Sequence, residues 1–231
     1  MPRLYVYAEG QTEQTFANNV LGPHLANFGV HVSTILVANA RHKGKVNRGG
    51  ATNYAPMRKD INNLLKQEKS GDVFFTTMID FYAISREFPG LEAAEKIPHL
   101  PYRQVEILEA AFSANLGDRR FLPHIQLYEY EAYLFADPSQ FRLYYEKHEP
   151  QIAALQAIVD QYGSPELIDG GSHTAPSKRI LAQFPDYNKV VEGAGIAALI
   201  GLQTIRDRCP HFAAWLTRLE QLANSLTQPL A

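Results

Sequence analysis

Short apolar runs alternate along this chain with longer stretches in which apolar residues recur every three or four positions. Leu4-Tyr5-Val6-Tyr7-Ala8 is β-prone and reads as a strand buried in a sheet. Glu9-Gly10-Gln11 turns the chain, and Thr12 is placed to cap a helix that sends Phe16, Val20 and Leu21 inward. Gly22-Pro23 should break or kink that helix, leaving a remnant that reaches Phe28. Val30 to Val37 is rich in β-branched residues and predicts a second strand, and the glycine- and asparagine-bearing stretch Ala40 to Asn53 predicts a loop. Met57, Ile61, Leu64 and Leu65 lie on one face of an amphipathic helix. Val73 to Ile79, nearly all apolar or β-branched, predicts a third strand that ends at Asp80. Pro89-Gly90, Pro98 and Pro101 make Phe81 to Pro101 a long loop with at most a short helix. Val105, Leu108, Ala111, Phe112 and Leu116 mark a further helix, and Phe121 to Tyr128 predicts a fourth strand ending at Glu129.

Beyond Asp137-Pro138 the pattern changes to short helical segments. Ile152, Leu155, Ile158 and Val159 form one apolar face there; Phe212, Trp215, Leu216, Leu219 and Leu222 form another. Strands alternating with helices imply parallel βαβ units. The expected fold is therefore α/β: a mostly parallel sheet flanked by helices over residues 1–137, with a helical C-terminal extension over residues 138–231 packed on it.

Composition narrows the function classes. The chain has 231 residues, 45% hydrophobic and 20% charged, within globular norms. A formal charge of −2 excludes a globally basic nucleic-acid coat but not a local basic groove. The single cysteine, Cys209, excludes an internal disulfide and a multi-cysteine zinc site, and the eight histidines show no HExxH spacing. No apolar run approaches the roughly 20 residues of a membrane span. The expectation is a soluble, cytoplasmic protein with no signal peptide and no membrane association.

Three of the four predicted strands end on a carboxylate: Glu9, Asp80 and Glu129. Ligands of open parallel sheets bind beyond the carboxyl ends of the strands, so neighbouring strands would bring these acids to one rim. Glu13, one helical turn past Glu9, and Glu131, two residues past Glu129, are set to join them. The plainer alternative is turn carboxylates complementing helix dipoles. Like charges at a buried rim repel unless something neutralises them. Hard oxygen ligands suit Mg²⁺ or Mn²⁺, and paired ions can activate water for phosphodiester cleavage. Arg41, Lys43, Lys45 and Arg48, in the loop after the second strand, are candidates for holding substrate phosphates. Lys178, Arg179 and Lys189 are further candidates, the alternative for each being a solvated surface charge. The tyrosine-rich stretch from Tyr128 to Tyr145 fits either base stacking or core packing.

Tyr5-Val6-Tyr7-Ala8-Glu9-Gly10-Gln11-Thr12-Glu13 resembles the opening motif of Toprim-like domains of the OLD-nuclease type. Thr77 to Tyr82, Phe88-Pro89-Gly90, Gln126 to Ala132, Ala175 to Arg179 and Cys209 to Phe212 resemble, more closely, one bacterial branch of that superfamily. It is the domain-of-unknown-function family 4276, and the likeness runs nearly the whole chain. By that resemblance the fold is Toprim-like (Rossmann-like). Glu9 is the Toprim glutamate, Asp80 opens the DxD element, and Glu129 or Glu131 supplies a further ligand. The resemblance implies a Mg²⁺-dependent nuclease acting on DNA or RNA with an AAA-type ATPase partner, in a phage-defence or mobile-element setting. The alternative is a non-catalytic nucleic-acid-binding or regulatory subunit of an ATPase complex. Tyr82 stands where the second DxD aspartate would be, so a second metal needs its ligand from Glu129, Glu131 or Glu13.

Overall fold

The computed structural model describes residues 1–37, 53–168, 171 and 174–225. Five strands form one sheet: β1 (Arg3–Ala8), β2 (His31–Leu36), β3 (Val73–Asp80), β4 (Phe121–Leu122) and β5 (Ile125–Gln126). The order is β2-β1-β3-β4, with β5 also on β3, and every pairing is parallel. The two central strands are the apolar ones: Leu4, Val6, Phe75 and Ile79 are sealed from solvent because both sheet faces are covered.

The connections follow the expected alternation. Between β1 and β2 run α1 (Gln11–Phe16), a π-helical turn (Ala17–Leu21) and α2 (Gly22–Ala26). Pro23 does not break this helix. The Gly22 N–H bonds Ala17 O, five residues back, so the widened turn admits the ring without ending the run. The remnant stops at Ala26, short of Phe28, which is partly exposed. Helix α3 (Tyr54–Gln67) leads to β3 and buries Met57, Ile61 and Leu65. The proline-rich stretch holds a 3₁₀ turn (Phe81–Ala83) and the short α4 (Leu91–Ala94), and α5 (Pro101–Leu116) then buries Val105, Leu108 and Phe112.

The fourth strand is a correction. In place of one strand from Phe121 to Tyr128 there are two short ones, separated by Pro123-His124. Proline has no N–H for the ladder. Side chains of β3 take over the pairing: Thr76 Oγ1 donates to Leu122 O, and Thr77 Oγ1 stands 2.9 Å from His124 O and 3.0 Å from His124 N. Strand geometry ends before Tyr128, whose φ of +62° reverses the chain ahead of Glu129.

The rest is helical, in order α6 (Glu149–Val159), α7 (Pro176–Gln183), α8 (Ala194–Ile200), α9 (Leu202–Arg208), α10 (Pro210–Glu220) and α11 (Leu222–Ser225), with 3₁₀ turns between some of them. Two apolar clusters divide the core by sheet face. One joins Tyr7, Phe75 and Ile79 to α3 and α5. The other joins Leu4, Val6 and Met78 to Phe16, Leu21 and the C-terminal residues Ile196, Ile205, Phe212, Trp215 and Leu219. The C-terminal helices thus serve as the second helical layer of the sheet.

Candidate functional site

Glu9 and Asp80 follow β1 and end β3, neighbouring strands in parallel register, so they emerge side by side on one rim. The Asp80 N–H donates to Glu9 Oε2 at 2.9 Å, and the Tyr130 N–H donates to Asp80 Oδ1 at 2.9 Å. Backbone amides therefore fix one oxygen of each carboxylate. Glu13 is drawn in by the start of α1. Gly10 is the cap there, and Glu13 Oε2 accepts the Gly10 N–H at 2.9 Å. Thr12 was expected to cap; it lies within the helix instead, buried, with its hydroxyl lacking a partner.

Glu131 belongs to the 3₁₀ segment Tyr130–Ala136 and is wholly buried, and neither of its carboxylate oxygens has a hydrogen-bond partner. Its counter-ion is Lys189, whose Nζ lies 3.6 Å from Glu131 Oε1 while the side chain stays half exposed. Lys189 opens a π-helical turn (Lys189–Gly193) held by Asn188, whose Oδ1 accepts the N–H groups of Val190 and Val191. Glycine at the end of that turn lets it approach α1: a Cβ at Gly193 would stand 3.0 Å from Tyr187 Oη and 3.2 Å from Thr12 Cγ2.

Glu9, Asp80 and Glu131 resist ionisation. Burial pushes Glu9 up to about 7, opposed by the Asp80 N–H and reinforced by Glu13. Burial raises Asp80 well above the usual carboxylate range, and the charges of Glu9, Glu13 and Glu131 add to it. Burial likewise lifts Glu131 to about 7, with Lys189 pulling the other way. Burial favours the neutral amine of Lys189, but Glu131, Asp80, Glu13 and Glu9 outweigh it and raise its pKa. Among the described residues the site thus gathers more carboxyl groups than its lysine can balance once they ionise. Hard oxygens and an unpartnered carboxyl group are donors of the kind that suit Mg²⁺ or Mn²⁺, although among the described residues no three of these acids bring ligand atoms within 4.8 Å of one another.

The other sequence candidates are distributed differently. Glu129 Oε2 accepts the Ser177 N–H at 2.9 Å in the first turn of α7, and its charge still acts on Glu131. Lys178 is exposed on α7. Arg179 is engaged with Thr174 O and Tyr162 Oη, its guanidinium over the Tyr162 ring. Arg41, Lys43, Lys45 and Arg48 lie outside the described residues. Of the tyrosine-rich stretch, Tyr130, Tyr133 and Phe135 are core, as the packing alternative expects. Tyr82, partly exposed beside Asp80, has its ring 5.6 Å from that of Tyr128.

Periodicity gave no sign of a second group. Among the described residues, the one set of three or more His, Cys, Asp or Glu whose ligand atoms all lie within 4.8 Å of one another is Glu109, His124 and His211. Its members come from three distant segments, so no spacing in the sequence announces them. A shallow groove of about 330 Å³ along α3, lined by Tyr54, Arg58, Lys59, Asn62, Asn63 and Lys66, contains none of the rim acids.

The profile of a family described as a domain of unknown function, DUF4276, matches residues 8–220. No curated protein and no solved structure matches the chain.

Proposed function

The chain belongs to the domain-of-unknown-function family DUF4276, and on that footing we propose that it is a Toprim-like nuclease that hydrolyses nucleic-acid phosphodiesters with Mg²⁺ or Mn²⁺, working beside an AAA-type ATPase. The observation that carries this reading is the set Glu9, Asp80 and Glu131 with half-exposed Lys189, gathered at the carboxyl ends of adjacent parallel strands. Glu9, Asp80 and Glu131 would hold the ion, with Glu13 and Glu129 beside them. When bound, Mg²⁺ would supply Lewis-acid activation of a phosphate oxygen and of water.

The chain's own residues prepare the site. The N–H groups of Asp80 and Tyr130 orient two carboxylates before any ligand arrives, so little reorganisation remains. Lys189 offsets the buried charge of Glu131, and its half-exposed ammonium is placed to meet a substrate phosphate. Tyr82, in place of a second DxD carboxylate, favours one ion over two and keeps the regulatory-subunit reading in play.

The test is melting temperature against Mn²⁺ concentration for the wild type, Glu9→Gln and Asp80→Asn, together with cleavage of labelled single- and double-stranded DNA and RNA. The expected result is a Mn²⁺-dependent rise in the wild type that both variants largely lose, because an ion bound only to the folded state stabilises it by mass action. Metal-dependent cleavage should disappear with it. Equal shifts in all three proteins would reject the metal site, and a metal-dependent shift without cleavage of any substrate would assign the chain to a non-catalytic subunit.

A further inference from the structure

Helix α5, the link between β4 and β5, and the first turn of α10 converge at Glu109, His124 and His211. Glu109 Oε1 lies 2.9 Å from His211 Nε2 and 3.7 Å from His124 Nδ1. Ligand atoms around a tetrahedral ion with bonds of about 2.0–2.1 Å stand roughly 3.3 Å apart, and the two observed separations bracket that value.

The surroundings are those of an oriented ligand set. His124 is completely buried, and its Nδ1, on the side of Glu109, has no hydrogen-bond partner. Its Nε2 meets Tyr133 Oη at 3.1 Å. Its ring is stacked between His211, at 4.9 Å, and Trp215, at 4.3 Å, and the Trp215 N–H is itself tied to Thr76 Oγ1 at 2.9 Å. Glu109 Oε1 accepts the Ile125 N–H at 2.8 Å. Outer partners of this kind fix the tautomer and direction of imidazole and carboxylate ligands. A buried imidazole nitrogen without a hydrogen-bond partner is costly, and an ion bound there removes that cost. Slight exposure of His211 and Glu109 leaves a route in from solvent.

We propose that Glu109, His124 and His211 form a Zn²⁺ site with three protein ligands and one open position, pinning α10 to the sheet layer. Two imidazoles and a carboxylate suit Zn²⁺ better than Mg²⁺. None of the rim acids takes part, so the proposal does not depend on the nuclease reading. Stacked rings direct their in-plane lone pairs side by side, so binding turns the partly exposed His211 ring out of its stack. His124, held by Trp215 and Tyr133, stays in place.

The experiment uses the full chain, stripped with a chelator and titrated with Zn²⁺. Bound metal is measured by elemental analysis, melting temperature by calorimetry, and geometry by the visible absorption of the Co²⁺-substituted protein. The expected result is one equivalent of Zn²⁺ per chain, a higher melting temperature and four-coordinate Co²⁺ bands. Glu109→Gln and His211→Asn should each weaken Zn²⁺ binding at least tenfold, while Asp80→Asn leaves it unchanged. Both substitutions lie at partly exposed positions, and circular dichroism of the metal-free variants checks that they fold. Sub-stoichiometric Zn²⁺ without Co²⁺ bands overturns the proposal, as does undiminished binding in both variants. Loss of the ion in Asp80→Asn with retention in His211→Asn also overturns it, by placing the ion at the acidic rim.

Discussion

At the scale of single residues, the rim acids tie the stability of the metal-free protein to pH. Glu9 and Glu131 both titrate near 7 in the folded chain, against an ordinary value of 4.5. Between those values the folded state keeps protons that the unfolded chain has released, so stability falls as pH rises from about 4.5 to about 7, and Asp80, also raised by burial, adds to the fall. Each unit of displacement is worth about 1.4 kcal/mol at most, so the combined effect should reach a few kcal/mol. Chemical denaturation of chelator-treated protein at pH 5, 6, 7 and 8 measures it, and Glu131→Gln should flatten the profile. A profile that climbs toward pH 8 in the wild type would contradict the burial of these acids as neutral groups. Gly193 supplies a second residue-scale outcome. Its missing Cβ admits Tyr187 and Thr12, so Gly193→Ala should cost about 1–3 kcal/mol through overpacking despite the better helix propensity of alanine. A higher melting temperature in Gly193→Ala would show that the turn bearing Lys189 has slack.

At the scale of elements, helix ends and strand ends are held by particular side chains. Glu166, buried, accepts the N–H groups of His211 and Phe212 at 2.9 Å each and so closes the start of α10. Arg206 clamps the end of the same helix through Glu220 and Thr217, and His24 of α2 reaches Glu220 at 2.7 Å. Between these ends Phe212, Trp215, Leu216 and Leu219 face the sheet. Leu219 is sealed from solvent, so Leu219→Ala should destabilise the protein by about 2–5 kcal/mol through lost burial and a residual cavity. A change near zero in urea unfolding would mean that α10 is not docked in solution. Arg120 does similar work after α3, donating to Leu65 O, Glu68 O and Ser70 O while paired with Asp118.

At the scale of the whole molecule, one face of the sheet depends on the C-terminal helices, because Leu4, Val6 and Met78 share a cluster with Ile196, Phe212, Trp215 and Leu219. A fragment of residues 1–137 would leave that face open to water, a patch far larger than soluble monomers tolerate. It should aggregate, or bind a hydrophobic dye without a cooperative melt, whereas the full chain should unfold in one transition. A cooperative, soluble fragment would show that the sheet closes without its second layer.

Much of this architecture is legible from the sequence alone. Short apolar runs and helical periodicity place β1, β2, β3, α3 and α5 to within a few residues, because burial on a sheet or a helix face leaves a local pattern. The carboxylates ending β1 and β3 are legible for the same reason, since a strand that stops on an acid is a local fact. The split of the fourth strand is half legible: Pro123 interrupts the ladder locally, but the bonds from Thr76 and Thr77 of β3 across Pro123-His124 are not announced by any spacing. Nor can spacing tell which of the candidate cations among the described residues, Lys178, Arg179 and Lys189, meets the acids. Lys189 does so because its turn folds back against α1 and the Glu131 segment, whereas Arg179, equally basic, is spent on Tyr162 and Thr174. Glu109, His124 and His211 are the extreme case: three residues up to 102 positions apart become neighbours only when α10 docks beside α5. Pattern along a chain reports how each segment divides between water and core; which charges then share a low-dielectric space is a property of the assembled layers.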